Sequence, residues 1–263
     1  MSILCYEITG DAIPNPRSTT GAEDGHVGAV LKGDHAAASA QVYSELVANR
    51  LAMFLGIPVV VGVPARRPGD RSVRFAALRA ADADLEVYDF TDDDRSDPDA
   101  IDADERKLPK GVYRHAGHVR QMAALCEKYP LESAAIAVFD LWICNQDRAL
   151  NFKAELSAEG RGVIFALDQG SALLSCRSSV NESLDQLGNY DSPSFHPFQR
   201  LVNARYAGAM VERICSMPEW AILAAATYGD TVGNVTLDEQ YATYAALIDR
   251  KQALGRLVDR VLL

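Results

Sequence analysis

The amino-acid sequence predicts an α+β protein, with a small antiparallel, β-rich first part that carries one helix and a mainly helical second part. Over the first eighty residues, short apolar runs and turn signals predict strand, strand, helix, strand and strand in that order. An acidic stretch then interrupts the pattern, and from about residue 111 the apolar residues recur at helical spacing. We therefore expect three parts: residues 1–80, an acidic linker at residues 81–110, and residues 111–263.

The first part begins with two predicted strands joined by a turn-rich loop. Residues 3–13 are apolar and β-prone, and residues 14–25 contain prolines, glycines and small polar side chains that favour turns. The segment HVGAVLKG then predicts a second strand that ends at Lys32.

A helix and two more strands complete the first part. Residues 36–55 are rich in alanine, and Gly56 and Pro58 directly after them predict the end of a helix. Residues 57–63 are nearly all apolar and are bounded by Pro64, which predicts a buried strand. The segment SVRFAALRA, beyond the turn ARRPGDR, predicts the returning strand.

The second part is predicted to be mainly helical. Residues 115–129 form an amphipathic pattern that stops near Pro130, and residues 131–144 are apolar on nearly all sides, as in a central helix. Residues 171–194 are polar and show no periodicity. Three further helices are predicted, over residues 197–216, from Ser216 with a capping-box spacing to Glu219, and from Thr236 to the end with a stripe of Leu247, Leu254, Val258 and Leu262.

Composition restricts the classes of function. The net charge of −10 resides in residues 82–105, where twelve acidic side chains meet only Arg95, so a basic face for nucleic acid is not expected. This acidic segment is interpreted as a solvated loop, with a partner-binding role as the alternative. No apolar run is long enough for a transmembrane helix, and the beginning of the chain lacks the pattern of a signal peptide. Five scattered cysteines without a CxxC pair indicate free thiols, and we expect a cytoplasmic protein.

The candidate site is centred on residues 140–170. Asp147, Arg148 and Asn151 follow the second apolar helix, and a short apolar run then leads to Asp168 and Gly170. Carboxylates and an amide at both ends of a hairpin can converge on one point, as phosphoryl transfer requires. The alternative interpretation is structural: a capped turn with a surface salt bridge, followed by a tight turn at the end of a strand.

Lys32 and Glu45 are the candidate residues of the first part. A hairpin whose second strand carries a lysine can hold nucleotide phosphates through backbone N–H groups and the ammonium, and Gly25 is the candidate for close approach. Glu45 lies in the predicted helix and would need a partner if buried, for which Lys32 is available. The alternatives are an ordinary lysine at a strand end and a solvent-facing Glu45 that pairs with Asn49 or Arg50.

Four segments in this order resemble the HipA-like branch of the protein-kinase-like fold, particularly its small bacterial members. They are AVLKG, SELVANRLAMFLGIPV, VFDLWICNQDRALN, which is similar to a Phe-Asp-x-x-x-x-Asn-x-Asp-Arg catalytic loop, and IFALDQGSAL, which is similar to an Asp-x-Gly metal-binding turn. The resemblance implies a two-lobed, protein-kinase-like fold and an ATP- and Mg²⁺-dependent kinase that acts on a protein Ser/Thr or a small-molecule hydroxyl. Neither direct nucleic-acid binding nor a membrane is expected.

The resemblance also implies a role for each candidate residue. Asp147 would orient the acceptor hydroxyl and take its proton, and Arg148 would brace the loop by pairing with Asp147, Asp168 or a backbone carbonyl. Asn151 and Asp168 would ligate Mg²⁺. Lys32, held by Glu45, would fix the phosphates, with Gly25 in the covering loop.

One departure from the family pattern keeps a second hypothesis open. Asn151 lies four residues after Asp147 instead of five, and a deletion here rotates the amide unless the loop is rebuilt. The alternative is therefore a nucleotide-binding pseudokinase that acts as an interaction or regulatory module. A third hypothesis, a metal-dependent hydrolase that uses Asp140, Asp147 and Asp168, is less favoured because Asp140 falls within a helix. The pair His115 and His118 lacks a third metal ligand nearby and is interpreted as structural.

Overall fold

The computed structural model describes residues 4–81, 116–148, 151–156 and 162–263, and within them the mixed α/β class is confirmed. The strands are β1 (Ile8–Pro14), β2 (Glu23–Val27), β3 (Ala29–Lys32), β4 (Gly62–Ala65), β5 (Arg74–Leu78), β6 (Phe152–Ala154) and β7 (Ile164–Ala166). The helices are α1 (Gln41–Leu55), α2 (Ala116–Lys128), α3 (Pro130–Trp142), α4 (Val180–Gly188), α5 (Ala204–Cys215), α6 (Glu219–Ala226) and α7 (Leu237–Val261), with a short 3-10 helix at Leu173–Ser175. The acidic segment 82–105 and His115 lie outside the described residues.

The strands of the first part form two antiparallel sheets. β1 and β2 make an exposed hairpin, and β3, β5 and β4 form a three-stranded sheet in that order, in which Lys32 pairs with Phe75. Two backbone hydrogen bonds connect the ends of the hairpin to the residue after β5: Glu7 N–H donates to Arg79 O at 2.8 Å, and Arg79 N–H donates to Gly28 O at 2.8 Å. The pairing of β3 with β5 therefore fixes the position of Lys32, the last residue of β3.

The prediction of a buried strand over residues 57–63 is wrong in its bounds. The strand is β4, Gly62–Ala65, and it includes Pro64; the sheet edge tolerates this residue because an edge strand can lack one N–H donor. The apolar residues before it pair with β7 instead. Val60 N–H donates to Ala166 O at 3.2 Å, and Ala166 N–H donates to Pro58 O at 2.8 Å. This backbone contact joins the first part of the chain to the hairpin of β6 and β7.

Helix α1 lies in the core between the sheet and the later helices. It ends as predicted at Gly56, whose φ of 66° is the left-handed conformation that glycine adopts without strain. Most of its side chains are buried, and Tyr43 Oη donates to Ala226 O of α6 at 2.8 Å. Burial on several sides fixes α1 firmly, which matters because α1 carries Glu45.

Helix α3 is the buried centre of the second part, as the sequence predicts. All of its residues from Ser133 to Trp142 are buried, and Trp142 Nε1 donates to Leu247 O of α7 at 3.0 Å. Arg250 of α7 is buried as well and donates to backbone carbonyls at the end of α3, including Leu141 O at 2.7 Å. The predicted stripe of α7 is buried, and the helix begins after Thr236 as predicted, with a capping box between Thr236 and Glu239.

Three predictions on the later helices need correction. Residues 171–194 contain α4, whose N-cap Ser179 accepts from Glu182 N–H, so a capping signal was present in the sequence. Helix α5 begins only at Ala204, after the N-cap Asn203. The predicted cap Ser216 does not start α6, because its hydroxyl donates to Arg213 O at the end of α5.

No helix among the described residues has the length and apolar character needed to cross a lipid bilayer. Cys126, Cys144, Cys176 and Cys215 are free thiols, as predicted.

Candidate functional site

Lys32 lies between two carboxylates that come from opposite halves of the chain. Its Nζ is 2.5 Å from Glu45 Oε1 and 2.7 Å from Asp168 Oδ1. The side chain of Glu45 is 1% exposed, whereas that of Asp168 is 41% exposed. The predicted contact between Lys32 and Glu45 is therefore present, and the alternative of a solvent-facing Glu45 is wrong. Asn49 is engaged elsewhere, with its Nδ2 donating to Val60 O at 2.6 Å.

The turn after β7 supplies Asp168 and also holds Glu45. Gln169 N–H donates to Glu45 Oε2 at 3.2 Å, so one carboxylate oxygen binds the ammonium of Lys32 and the other binds this turn. Gly170 N–H donates to Asp168 Oδ1 at 3.1 Å. Asp168 has a φ of 45°, a left-handed conformation that aspartate adopts more readily than most residues. The turn therefore places the half-exposed Asp168 carboxylate next to Lys32 with its backbone already arranged.

Burial and charge move the pKa values of the two carboxyls in opposite directions. Burial raises the pKa of Glu45 to about 7, against the opposing pull of Lys32, and the negative charge of Asp168 raises it further. Burial also acts on Asp168, but hydrogen bonding and charge attraction from Lys32 outweigh it and lower the pKa of Asp168. Near neutral pH, Asp168 is therefore the ionised partner of Lys32, while Glu45 is close to its titration midpoint.

Asp147 and Asn151 face each other across the loop that follows α3. Asn151 Nδ2 donates to Asp147 O at 2.6 Å and to Asp147 Oδ2 at 3.1 Å. Asp147 itself is positioned by Asn145, whose Oδ1 accepts from Asp147 N–H at 3.0 Å. Partial desolvation raises the pKa of Asp147, the hydrogen bond from Asn151 opposes this, and the charge of Asp168 adds to the rise. The carboxylates of Asp147 and Asp168 are thus close enough to influence each other.

Arg148 is the structural centre of this loop. Its Nε donates to Asp140 Oδ2 at 2.7 Å and its Nη2 to Asp140 Oδ1 at 2.9 Å, a bidentate pair in which both side chains are almost fully buried. Its Nη1 donates to the carbonyls of Asn151 and Leu167, at 2.5 Å for the latter. Of the partners predicted for Arg148, the backbone carbonyl is correct. The carboxylate it pairs with is Asp140, instead of Asp147 or Asp168.

Asp140 is the buried carboxylate of this loop whose place the sequence interpretation missed. Asn145 Nδ2 donates to its Oδ1 at 2.9 Å, and His196 Nε2 lies 3.1 Å from its Oδ2. Burial opposes ionisation of Asp140, but Arg148 and His196 outweigh it and lower the pKa of Asp140 to about 2. Because both oxygens are occupied, Asp140 is not available to a metal ion. No cluster of three His, Cys, Asp or Glu side chains that could hold a metal ion occurs in the described part of the chain.

Gly25, the candidate for close approach to the phosphates, lies in the exposed hairpin of β1 and β2. It falls within β2, and the turn that joins β1 to β2 lies before it. The space around the position of a Cβ at Gly25 is open to 4 Å, so nothing in the described structure requires glycine there. The role of Gly25 in covering phosphates stays a prediction, as do the catalytic and ligand roles of the other candidates.

Solved structures that share this fold include two bacterial proteins. The Helicobacter pylori proinflammatory kinase CtkA superposes with a TM-score of 0.56 at 15% sequence identity, which covers 97% of this chain and 97% of that chain. HipA of Shewanella oneidensis MR-1, from a toxin–antitoxin complex with HipB and operator DNA, superposes with a TM-score of 0.51 at 12% identity, which covers 94% of this chain and 64% of that chain. No family model and no curated protein sequence matches the chain. In its fold, the chain is similar to the kinase CtkA and to HipA.

Proposed function

We propose that this protein is an ATP- and Mg²⁺-dependent phosphotransferase, a HipA-like kinase that acts on the hydroxyl of a protein Ser/Thr or of a small molecule. The observation that carries the proposal is the position of Lys32, whose Nζ contacts Glu45 at 2.5 Å and Asp168 at 2.7 Å. An ammonium fixed between a buried helix carboxylate and the carboxylate of a turn is the arrangement by which kinases hold nucleotide phosphates next to their metal. The fold shared with CtkA and HipA supports the same conclusion.

In this proposal, one pair of residues binds the phosphates and another pair binds the metal. Lys32 binds the α- and β-phosphates, and Glu45 keeps its ammonium in place. Asp168 and Asn151 offer the carboxylate and amide oxygens that Mg²⁺ prefers, and one or two such ligands are sufficient when the phosphates supply the remainder. Bound Mg²⁺ would neutralise negative charge on the phosphates. The residues present therefore fit this cofactor.

Asp147 is proposed as the residue that orients the acceptor hydroxyl and takes its proton late in the transfer. Its carboxylate is exposed, unlike that of Glu45, and Asn145 and Asn151 fix it through hydrogen bonds. Because the transition state of phosphoryl transfer is largely dissociative, position matters more than basicity, although the raised pKa of Asp147 favours proton acceptance.

The organisation of the chain follows from the same proposal. Residues 1–80 form a nucleotide-gripping lobe, residues 81–110 an acidic linker, and residues 111–263 a helical lobe that carries the catalytic and metal-binding loops. ATP and a hydroxyl acceptor are the proposed partners, without direct nucleic-acid or membrane contact. The cytoplasm, where ATP is abundant and thiols stay reduced, is the proposed location.

Transfer of label from γ-labelled ATP, with Mg²⁺ present, tests this function. The wild-type protein should show autophosphorylation or ATP turnover, and Asp147→Asn should abolish it while leaving nucleotide binding intact. Asp185→Asn, a change to an exposed carboxylate on α4, is the matched control and should leave turnover unchanged. Turnover that survives in Asp147→Asn would remove Asp147 from its proposed role.

A nucleotide-binding pseudokinase that serves as a regulatory module is the second candidate. It is favoured by one observation: in the short loop, the Asn151 amide donates to the carboxylate of Asp147, which occupies part of the group that would accept the proton. This candidate predicts a Mg²⁺-dependent thermal shift with ATP in the absence of any label transfer. A protein that neither shifts nor transfers label contradicts both candidates.

A further inference from the structure

His196 is a buried histidine that sequence reasoning did not connect to the site. Its side chain is 1% exposed, and it lies between Asp140 and the backbone of its own segment. Phe198 N–H donates to His196 Nδ1 at 3.0 Å, so Nδ1 is the unprotonated acceptor. The proton of the neutral ring is then on Nε2, which is 3.1 Å from Asp140 Oδ2 and donates to it. Burial lowers the pKa of His196, in agreement with this neutral tautomer.

This donor completes the hydrogen bonding of Asp140. Oδ1 accepts from Asn145 at 2.9 Å and from Arg148 Nη2 at 2.9 Å, while Oδ2 accepts from Arg148 Nε at 2.7 Å and from His196. With two donors on each oxygen, the carboxylate has one orientation. Without the N–H donor of His196, Asp140 Oδ2 would accept only from Arg148 Nε, and the plane of the Asp140 carboxylate would be less restricted.

The orientation of Asp140 is transmitted to the candidate metal ligands by Arg148. The guanidinium is rigid and planar, so the two nitrogens that bind Asp140 determine where Nη1 points. Nη1 donates to the carbonyl of Asn151 and to that of Leu167, the residue before Asp168. One guanidinium nitrogen therefore joins the two backbone segments whose side chains are proposed to hold the metal.

A second contact runs in parallel through aromatic rings. His196 and Phe198 pack edge to face with centroids 5.1 Å apart, and Phe198 packs in the same way against Phe152 at 5.7 Å. Phe152 directly follows Asn151 at the beginning of β6. The hydrogen bonds that start from His196 thus lead to Asn151, and the aromatic contacts lead to Phe152, the next residue in the chain.

We propose that His196, as a neutral Nε2–H donor, is a positioning residue that sets the separation of Asn151 and Asp168 through Asp140 and Arg148, and thereby the metal affinity of the nucleotide complex. The inference rests on the proposed function, since it concerns the metal that accompanies ATP. It predicts that His196 affects binding of the metal more strongly than binding of the nucleotide, because Arg148 donates to the backbone of Asn151 and Leu167 and not to the side chains of Lys32 or Glu45.

The test measures the affinity of the protein for Mn²⁺ in the presence of a non-hydrolysable ATP analogue. Mn²⁺ is a paramagnetic substitute for Mg²⁺. His196→Phe keeps the ring but removes both hydrogen bonds, and we expect it to weaken Mn²⁺ binding about tenfold, as loss of an outer partner of metal ligands typically does. Affinity for the metal-free analogue should change less than twofold. His196→Gln, which retains an N–H donor at the place of Nε2, should stay within about threefold of wild type.

Thr236→Ala is the matched control, because it weakens the cap of α7 without touching the loop and should leave Mn²⁺ affinity unchanged. Equal Mn²⁺ affinity of His196→Phe and wild type would overturn the inference alone. If His196→Phe lost metal affinity and nucleotide affinity equally, His196 would have only a structural role, and the inference would be wrong. No Mn²⁺–nucleotide binding by the wild type would overturn the proposed function and the inference together.

A measurement on the unaltered protein covers the case in which His196→Phe does not fold. Long-range ¹H–¹⁵N NMR spectra distinguish the two neutral tautomers of histidine and the imidazolium. The signal of His196, assigned by its absence in His196→Gln, should be that of the Nε2–H tautomer. An imidazolium or an Nδ1–H tautomer at neutral pH would contradict the proposed donor.

Discussion

Replacement of Lys32 by methionine tests the electrostatics of the site in the free protein, independently of catalysis. Methionine keeps a flexible apolar stem of similar length but removes the ammonium between Glu45 and Asp168. The exposed Asp168 can be hydrated after this change, whereas Glu45, with 1% of its side chain exposed, cannot. Glu45 therefore determines how the free energy of unfolding responds.

The expected magnitude depends on pH because the pKa of Glu45 is about 7 in the wild-type protein. A carboxyl whose pKa is raised by folding contributes stability below its unfolded value and loses that contribution as the pH rises through its folded value. At pH 6 Glu45 is mostly protonated in both proteins, and we expect Lys32→Met to lose only about 1 kcal/mol from its polar contacts.

Above pH 7 the two proteins diverge. Glu45 ionises in the wild type, where Lys32 compensates it, but stays protonated in Lys32→Met. The difference in unfolding free energy should then grow by about 1.4 kcal/mol per pH unit. This gives a total loss of about 2–3 kcal/mol at pH 8, with a ceiling of about 3–5 kcal/mol, the range found when one partner of a buried ion pair is removed.

Urea denaturation followed by circular dichroism at pH 6, 7, 8 and 9 measures this difference. The same substitution is made in a Glu45→Gln background, where no carboxyl titrates at this position and the loss should be independent of pH. Lys32→Arg, which retains the charge, should show little pH dependence. A loss that is constant from pH 6 to pH 9, or one that still grows in the Glu45→Gln background, would refute the assignment of Glu45 as the titrating group.

Three further predictions concern stability. Arg148→Met leaves Asp140 buried without its main partner and should reduce the unfolding free energy by about 3–5 kcal/mol, measured by urea denaturation, whereas Met in place of the exposed Arg205 should change it by less than about 0.5 kcal/mol. The pKa of Asp140 falls from 3.8 to about 2 on folding, so its contribution is present above pH 3.8 and is lost as the pH falls toward 2. Acid titration of stability should therefore be steeper for the wild type than for Asp140→Asn, by about 2 kcal/mol in total between pH 5 and pH 2; equal slopes would contradict it. Thr236→Ala removes one half of the reciprocal cap with Glu239 and should cost about 1 kcal/mol by thermal denaturation, and an unchanged melting temperature would show that the cap contributes nothing.

The parts of the fold that the sequence predicts well are those in which one residue decides the local structure. Gly56 ends α1 because its left-handed conformation suits glycine, and Thr236 starts α7 because its hydroxyl caps a free N–H group. Ser179 gives the same kind of signal for α4, but the polar composition around it conceals a short helix. The prediction that Pro64 ends a strand is wrong, because whether a strand lies at a sheet edge depends on its neighbours and not on its own residues.

The residues of the candidate site likewise fall into those that a local motif identifies and those that only the tertiary structure identifies. Short motifs identify Lys32, Glu45, Asp147 and Asp168 as candidates, and the contact of Lys32 with Glu45 follows from the need of a buried carboxylate for a partner. His196 has no such motif. Its connection to Asp140 spans 56 residues and depends on how an irregular segment packs against α3, which local patterns do not encode.

Arg148 holds together the short loop between Asp147 and Asn151. Asn151 N–H donates to Arg148 O at 3.1 Å, and the guanidinium donates in return to Asn151 O, so backbone and side chain of one arginine close the shortened loop. Within this loop, the Nδ2 atom of Asn151 binds Asp147, and its Oδ1 is the amide atom directed away from that contact. A metal ligand must offer this oxygen, since an amide nitrogen carries no free lone pair for coordination. The shorter spacing therefore leaves Asn151 Oδ1 available for the proposed metal. It also couples Asn151 to Asp147, so that the proposed metal binding and the orientation of the proposed proton acceptor depend on the same side chain.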